Sequence, residues 1–395
     1  MQLNKPALSE VLSAILPTPE QTLLLRACLW AGEPGRQAWA EWCDRVGDPI
    51  ELLRDGDETL KGLLPLISYA LRHNGVVIEE ALQTCLLSAA LREELRTNTY
   101  RRILSQVLSN FAEKQTPIIL ATGAALADTV YESPSLRHSG EIEILFAGQE
   151  STLTASSLIP SGFSQMYDRV NSGAWETRLK HDSGLPLRLS RTLFPISYYE
   201  VPFEDLWARG QIRPIAEVPT HILSPADSLM HVCGNAFFNR NRRTLLWVFD
   251  SWFILDKHPN LNWKGLLETA RRGRLELPLS LTIGYLAEKL GASIPESFLE
   301  RLHAAASATD AGGRSNALSV LREEVGRNYI KMLLTDGTWR TRAYLTRWIL
   351  RSPMDHFKWF WRNCYPRLFL ARVLSLTFSG LTHRVRLLFK NGAGH

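Results

Sequence analysis

Glu141 and Glu143 are the residues whose types and spacing speak most directly of chemistry. They alternate with Ile142, Ile144 and Phe146 just after Gly140, in Gly-Glu-Ile-Glu-Ile-Leu-Phe. On a β-strand that period sends both carboxylates to one face. Such neighbours repel unless a cation or strong donors stand between them, and a divalent magnesium ion is a natural occupant. Upstream, the short apolar run Ile118 to Leu120 passes Gly123 and enters an Ala-rich stretch, which reads as strand, turn and helix. A glycine turn at a helix N-terminus can bind triphosphate oxygens through backbone N–H groups. A metal held beside it could orient a hydroxyl for in-line displacement at phosphorus. The same alternation of Glu and Ile also describes a half-exposed strand with a solvated acidic face.

Further candidates lie in the second half. Asp227, His231 and Asn235 are spaced i, i+4, i+8 and share one stripe of a helix, facing either a cleft or solvent while Leu229, Val232, Ala236 and Phe237 pack inward. Asp250 sits in the apolar run TLLWVFDSWFIL, where an unpaired carboxylate would be costly, so it needs a partner. Arg242, Arg243 or His231 could supply one. Arg240, Arg242 and Arg243 form a cluster that could meet triphosphate or simply be solvated. No G-x-S-x-G elbow, P-loop, H-E-x-x-H motif or zinc-spaced Cys/His set occurs.

The elements that must position these residues follow from periodicity. Up to about residue 110 apolar positions recur at helical intervals, as in QTLLLRACLWA, LKGLLPLISYALR and YRRILSQVLSNFAEK. Strands are expected around 118–120, 141–146 and 185–193, with another in AWETRLKH. Helices return at LSPADSLMHVCGNAFF, where Ser224 can cap, Pro225 suits the first position and Asp227 faces the orphan N–H groups. RRTLLWVFDSWFILDK, NWKGLLETARRGR, PLSLTIGYLAEKLG and PESFLERLHAAA continue the helical run.

With 395 residues, 45% hydrophobic and 22% charged, the chain can bury two or three ordinary cores, which excludes a disulfide miniprotein, a collagen or a disordered chain. Five cysteines without a C-x-x-C pair suit a reducing cytosol. The first residues do not read as a signal peptide, and no apolar run reaches spanning length. A net charge of +5 conceals an uneven distribution: from Arg340 onward eleven Lys and Arg face the single acid Asp355, interleaved with Trp348, Trp359, Trp361 and other aromatics. That mixture suits anionic lipid headgroups, nucleic acid or a protein surface.

ATGAALADTVYESPSLRHSGEIEILF resembles the signature of the uncharacterised bacterial nucleotidyltransferases of the DNA polymerase-β-like superfamily. There a strand, a Gly turn and a helix precede a Gly-Asp-x-Asp strand. LSPADSLMHVCGNAFFNRNRRTLLWVFDSWFIL followed by LNWKGLLETARR is similar to the family's helical segment. The resemblance covers roughly residues 20 to 300. It implies Mg2+ and a nucleoside triphosphate, with Glu141 and Glu143 as catalytic metal ligands and Thr122, Gly123, Gly140, Arg188 and Arg242 around the nucleotide. Three departures stand out. The family's paired Asp are Glu here, and Arg188 occupies the strand position from which a third acid is expected; a guanidinium cannot act as a base. Asp182 or Glu200 could fill that role only in another register. Thr122 stands where relatives commonly carry Lys.

The expected fold is therefore α+β and mostly helical, with a small mixed nucleotidyltransferase-like sheet flanked by N- and C-terminal helical regions. Its expected parts are a helical region 1–110, an α/β core 111–210, a helical bundle 211–339 and a basic aromatic tail 340–395. Two functions follow. One is Mg-dependent transfer of a nucleoside monophosphate to an unknown acceptor; the other is a catalytically degenerate sensor or scaffold, cytoplasmic and recruited to the inner membrane face by its tail.

Overall fold

A computed structural model describes residues 16–55, 58–147, 158–165, 176–194, 199–238 and 245–309. The basic tail, and Arg240, Arg242 and Arg243, lie outside these residues.

Among the described residues the first elements are helices α1 (Pro19–Leu29), α2 (Glu33–Val46), α3 (Pro49–Asp55), α4 (Glu58–Lys61), α5 (Leu64–His73) and the long α6 (Glu80–Glu113). Thr18 starts α1 with a capping box: its side chain accepts from the Gln21 N–H, and the Gln21 side chain accepts from the Thr18 N–H. Helix α1 is then tied to a segment far along the chain. The Thr22 and Tyr285 hydroxyls lie 2.9 Å apart, Arg26 donates to the Lys289 carbonyl and the Trp30 indole donates to that of Leu290.

Strand β1 (Ile118–Leu120) leads into α7 (Thr122–Thr129) and then β2 (Ile142–Phe146), β3 (Phe163–Gln165), β4 (Glu176–His181) and β5 (Pro186–Ser190). After α8 (Phe203–Arg209) come β6 (Gln211–Ile215) and β7 (Val218–Ile222), and then helices α9 (Pro225–Phe238), α10 (Leu246–Lys257), α11 (Trp263–Arg272), α12 (Glu276–Leu290) and α13 (Glu296–Ser307). The seven strands form one mixed sheet in the order β3-β4-β5-β2-β1-β7-β6. The fold is thus α+β and mostly helical, as expected, with a larger sheet than the sequence suggested.

The extra width comes chiefly from the β6–β7 hairpin, which lies beyond residue 210, where only helices were expected. Its sequence hides it. Pro214 and Pro219 face each other across the pair, and the turn uses Ala216 and Glu217 at positive φ instead of Asn-Gly. Strand β7 nonetheless lies parallel to β1, with Leu120 opposite Ile222.

Alternation along β2 divides the molecule. Ile142, Ile144 and Phe146 pack with Leu187 and Leu189 of β5 and with Tyr100, Ile103, Val107 and Phe111 of α6 in one apolar core. Glu143 and Leu145 take the opposite face. That face receives α9, whose start is capped as the sequence predicts: the Asp227 N–H donates to Ser224 Oγ.

Candidate functional site

The Glu-bearing end of β2 is anchored from both sides. The Ala121 N–H donates to the Glu143 carbonyl at 2.9 Å, which fixes where β1 ends and α7 begins. The Tyr100 hydroxyl of α6 donates to the Glu141 carbonyl at 3.0 Å, and an Arg96 Nη donates to that of Ser139. Gly140 is exposed, with open space where a Cβ would stand.

Strands β2 and β5 run parallel, with Glu143 directly opposite Arg188. The register therefore delivers a guanidinium to the carboxylate pair. Arg188 is buried; its Nη2 forms an ion pair with Glu143 Oε1, and its Nε lies 3.9 Å from Glu141 Oε1. Helix α9 closes the far side with His231, fully buried, whose Nε2 lies 3.5 Å from Glu143 Oε1. Thr122 Oγ1 is 3.1 Å from His231 Nδ1, and the Asn235 amide nitrogen is 2.6 Å from Nε2. These contacts suit a neutral imidazole with its proton on Nδ1, donating to Thr122 and accepting from Asn235. Phe194 packs edge-on against the ring.

The electrostatics agree. Burial opposes ionisation of Glu143, but the Arg188 guanidinium outweighs it and holds the carboxyl below its usual range. Burial dominates at His231 and lowers its pKa, against the pull of Glu143.

Thr122, Glu141, Glu143 and Arg188, all singled out by sequence, thus meet at one place, joined by His231 and Asn235. Other expectations need correction. Gly123 makes no turn: it occupies the first turn of α7 without positive φ, and a Cβ there would lie 3.5 Å from an Arg137 nitrogen. The Asp227 stripe divides, since Asp227 accepts from both Arg209 Nε and Nη2 and from Ser224, while His231 and Asn235 face the site. His231 is accordingly no part of a solvated helix face. Asp182, in the turn before β5, and Glu200 are exposed and supply no third acid. Arg242 lies outside the described residues.

Asp250 has found other partners than those considered. Arg137 donates to it twice, at 2.8 and 2.7 Å, and the Tyr131 hydroxyl adds a third bond at 2.7 Å. Burial weighs against the charge on Arg137, but Asp250 more than restores it. Sequence reading missed Arg137 because 113 residues separate it from Asp250 and no local spacing links them. The clue lay in the demand of Asp250 for a cation.

The carboxylate pair does not suit a divalent metal. Magnesium requires near-octahedral oxygen ligands at about 2.0–2.1 Å, whereas here a buried guanidinium lies against both carboxylates. Among the described residues no group of three His, Cys, Asp or Glu side chains could hold a metal ion, and no helix is long and apolar enough to cross a membrane.

No curated protein matches the chain. A crystal structure of an antigenic nucleotidyltransferase-like protein from Paracoccidioides brasiliensis is similar over 50% of this chain and 95% of that one, with 13% identity and a TM-score of 0.31. Residues 59–291 match the family described as uncharacterised nucleotidyltransferase. That match spans more than half of the sequence, and the chain belongs to this family.

Proposed function

We propose that the chain is a degenerate polymerase-β-like nucleotidyltransferase, one that has given up metal-dependent nucleotidyl transfer and serves as a binding and assembly module. The observation that carries this reading is the buried Arg188 guanidinium against Glu141 and Glu143. It supplies within the chain the positive charge that two clustered carboxylates demand. A dication entering the same space would meet electrostatic repulsion and would have to displace a buried, ion-paired side chain. The residue opposite Glu143 is also where a third acid would help deprotonate an acceptor hydroxyl, and a guanidinium takes no proton. The commitment of Thr122 to His231 further reduces what the start of α7 can offer a phosphate.

Thermal unfolding of the full chain with magnesium chloride and ATP, separately and together, tests this. The expected result is no magnesium-dependent rise in Tm, and the appearance of one in Arg188→Asp, which replaces the cation by a third carboxylate. A magnesium-dependent rise in the unmodified chain, lost in Glu143→Gln, would overturn the proposal and restore Mg-dependent transfer from a nucleoside triphosphate. The basic, aromatic composition of residues 340–395 supports recruitment to an anionic membrane surface. Flotation with anionic vesicles should then fail at high salt and on deletion of those residues.

A further inference from the structure

Helix α6 has two unlike faces. Leu82, Leu86, Ala89, Glu93, Thr97, Tyr100 and Ile103 are buried. On the other side Glu80, Thr84, Leu87, Leu91, Leu95, Asn98 and Arg102 are all exposed, the three leucines by 41, 58 and 62%. At 100° per residue, all seven lie within about 40° of Leu91. They form a single stripe about 33 Å long. Glu80, Leu91 and Arg102 are spaced by eleven residues, the period that keeps a stripe in line along a nearly straight helix.

We propose that this stripe binds a second copy of the chain, antiparallel, about a two-fold axis at Leu91. The pattern is its own complement when reversed about that residue. Leu87 meets Leu95 of the second copy, Thr84 meets Asn98, and Glu80 meets Arg102, each pair occurring twice as a two-fold interface requires. A parallel arrangement would instead set Glu80 against Glu80 and Arg102 against Arg102, so the charges at the two ends select the antiparallel one. Three leucines in line would then be withdrawn from water by a partner of identical chemistry. Beside the stripe, next to Leu87, lies a pocket of about 180 Å3 lined by Arg72, Val76, Val77, Gln83 and Leu86 among others. This inference uses a different helix face from the carboxylate pair and stands apart from the reading of that site.

Sedimentation velocity of the full chain tests it, at concentrations from about 1 to 100 μM, the range of modest protein–protein affinities. The expected result is a reversible monomer–dimer equilibrium. Leu91→Glu at the centre should weaken it by about 100-fold or more. Glu80→Arg and Arg102→Glu should each weaken it by about tenfold through like-charge contacts, and the double reversal should restore it. Since these positions are exposed, the variants should keep the Tm of the unmodified monomer. A chain that stays monomeric throughout, or a dimer indifferent to Leu91→Glu, would overturn the proposal. Single reversals that the double does not rescue would do the same, as would a fall in the monomer's Tm in Leu91→Glu, which would mean that the chain's own residues cover the stripe.

Discussion

Among the described residues two buried arginines, Arg137 and Arg188, face carboxylates, and they are satisfied differently. Arg137 grips Asp250 with two parallel hydrogen bonds, and Tyr131 completes the carboxylate's set. Arg188 serves two glutamates unequally, paired closely with Glu143 and standing 3.9 Å from Glu141. The first arrangement is a clamp joining the segment before β2 to α10. The second is a charge balance, in which one cation offsets two like charges that the strand period forces together. Geometry of the first kind is damaged by any change to either partner. A balance of the second kind tolerates the loss of one anion better than loss of the cation.

Experiments that separate the two begin with the clamp. Asp250→Ala strands a buried guanidinium and should cost about 3–5 kcal/mol in urea unfolding. A cost near zero would mean that Arg137 escapes to water. Arg188→Met should cost somewhat less, about 2–4 kcal/mol, because it leaves Glu143 buried beside only a neutral histidine. Adding Glu143→Gln to that variant should recover much of the loss, and failure to recover would point to packing instead of charge.

Acid should reach the balance in two steps. The pKa of His231 is lowered by burial, so the unfolded chain takes up a proton on this residue first; stability should fall as pH drops below about 6.5. Glu143 is also lowered, so a further loss should begin below about 4.5 as the unfolded carboxyl protonates. Stability measured against pH should show both windows, and His231→Gln should shrink the upper one without touching the lower, leaving the part due to His221 and His258, whose pKa values burial also lowers. The smallest effect is expected for Glu141→Gln. At 23% side-chain exposure and the longer distance from Arg188, this change should alter stability by about 1 kcal/mol or less, a difference that chemical denaturation resolves.

How much of this could be read beforehand differs between the same two places. The Glu141/Glu143 pair was legible because a period of two is a local property, whereas Arg188 was singled out only through the family resemblance, which expects an acid at its position; the register then sets it opposite Glu143. The cap of α9 was equally local: Ser224, Pro225 and Asp227 are adjacent in the chain. By contrast, the clamp needs residues from distant segments, and sequence could state only that Asp250 required a cation. Gly123 misled for a simpler reason: a glycine that ends a strand pattern suggests a turn, but the backbone here enters the helix at once, with Ala121 as its cap. The β6–β7 hairpin escaped notice because paired prolines and a turn without glycine carry none of the usual strand punctuation.

Thr22 and Arg26 of α1 and Trp30 just after it reach partners at residues 285–290, some 260 positions onward. During synthesis, then, α1 can pack on α2 and α5 soon after it is made, while its bonds to Tyr285, Lys289 and Leu290 must wait until α12 emerges. A chain stopped short of Tyr285 would lack those late ties, and its α1 should be the more readily cut by protease for want of them.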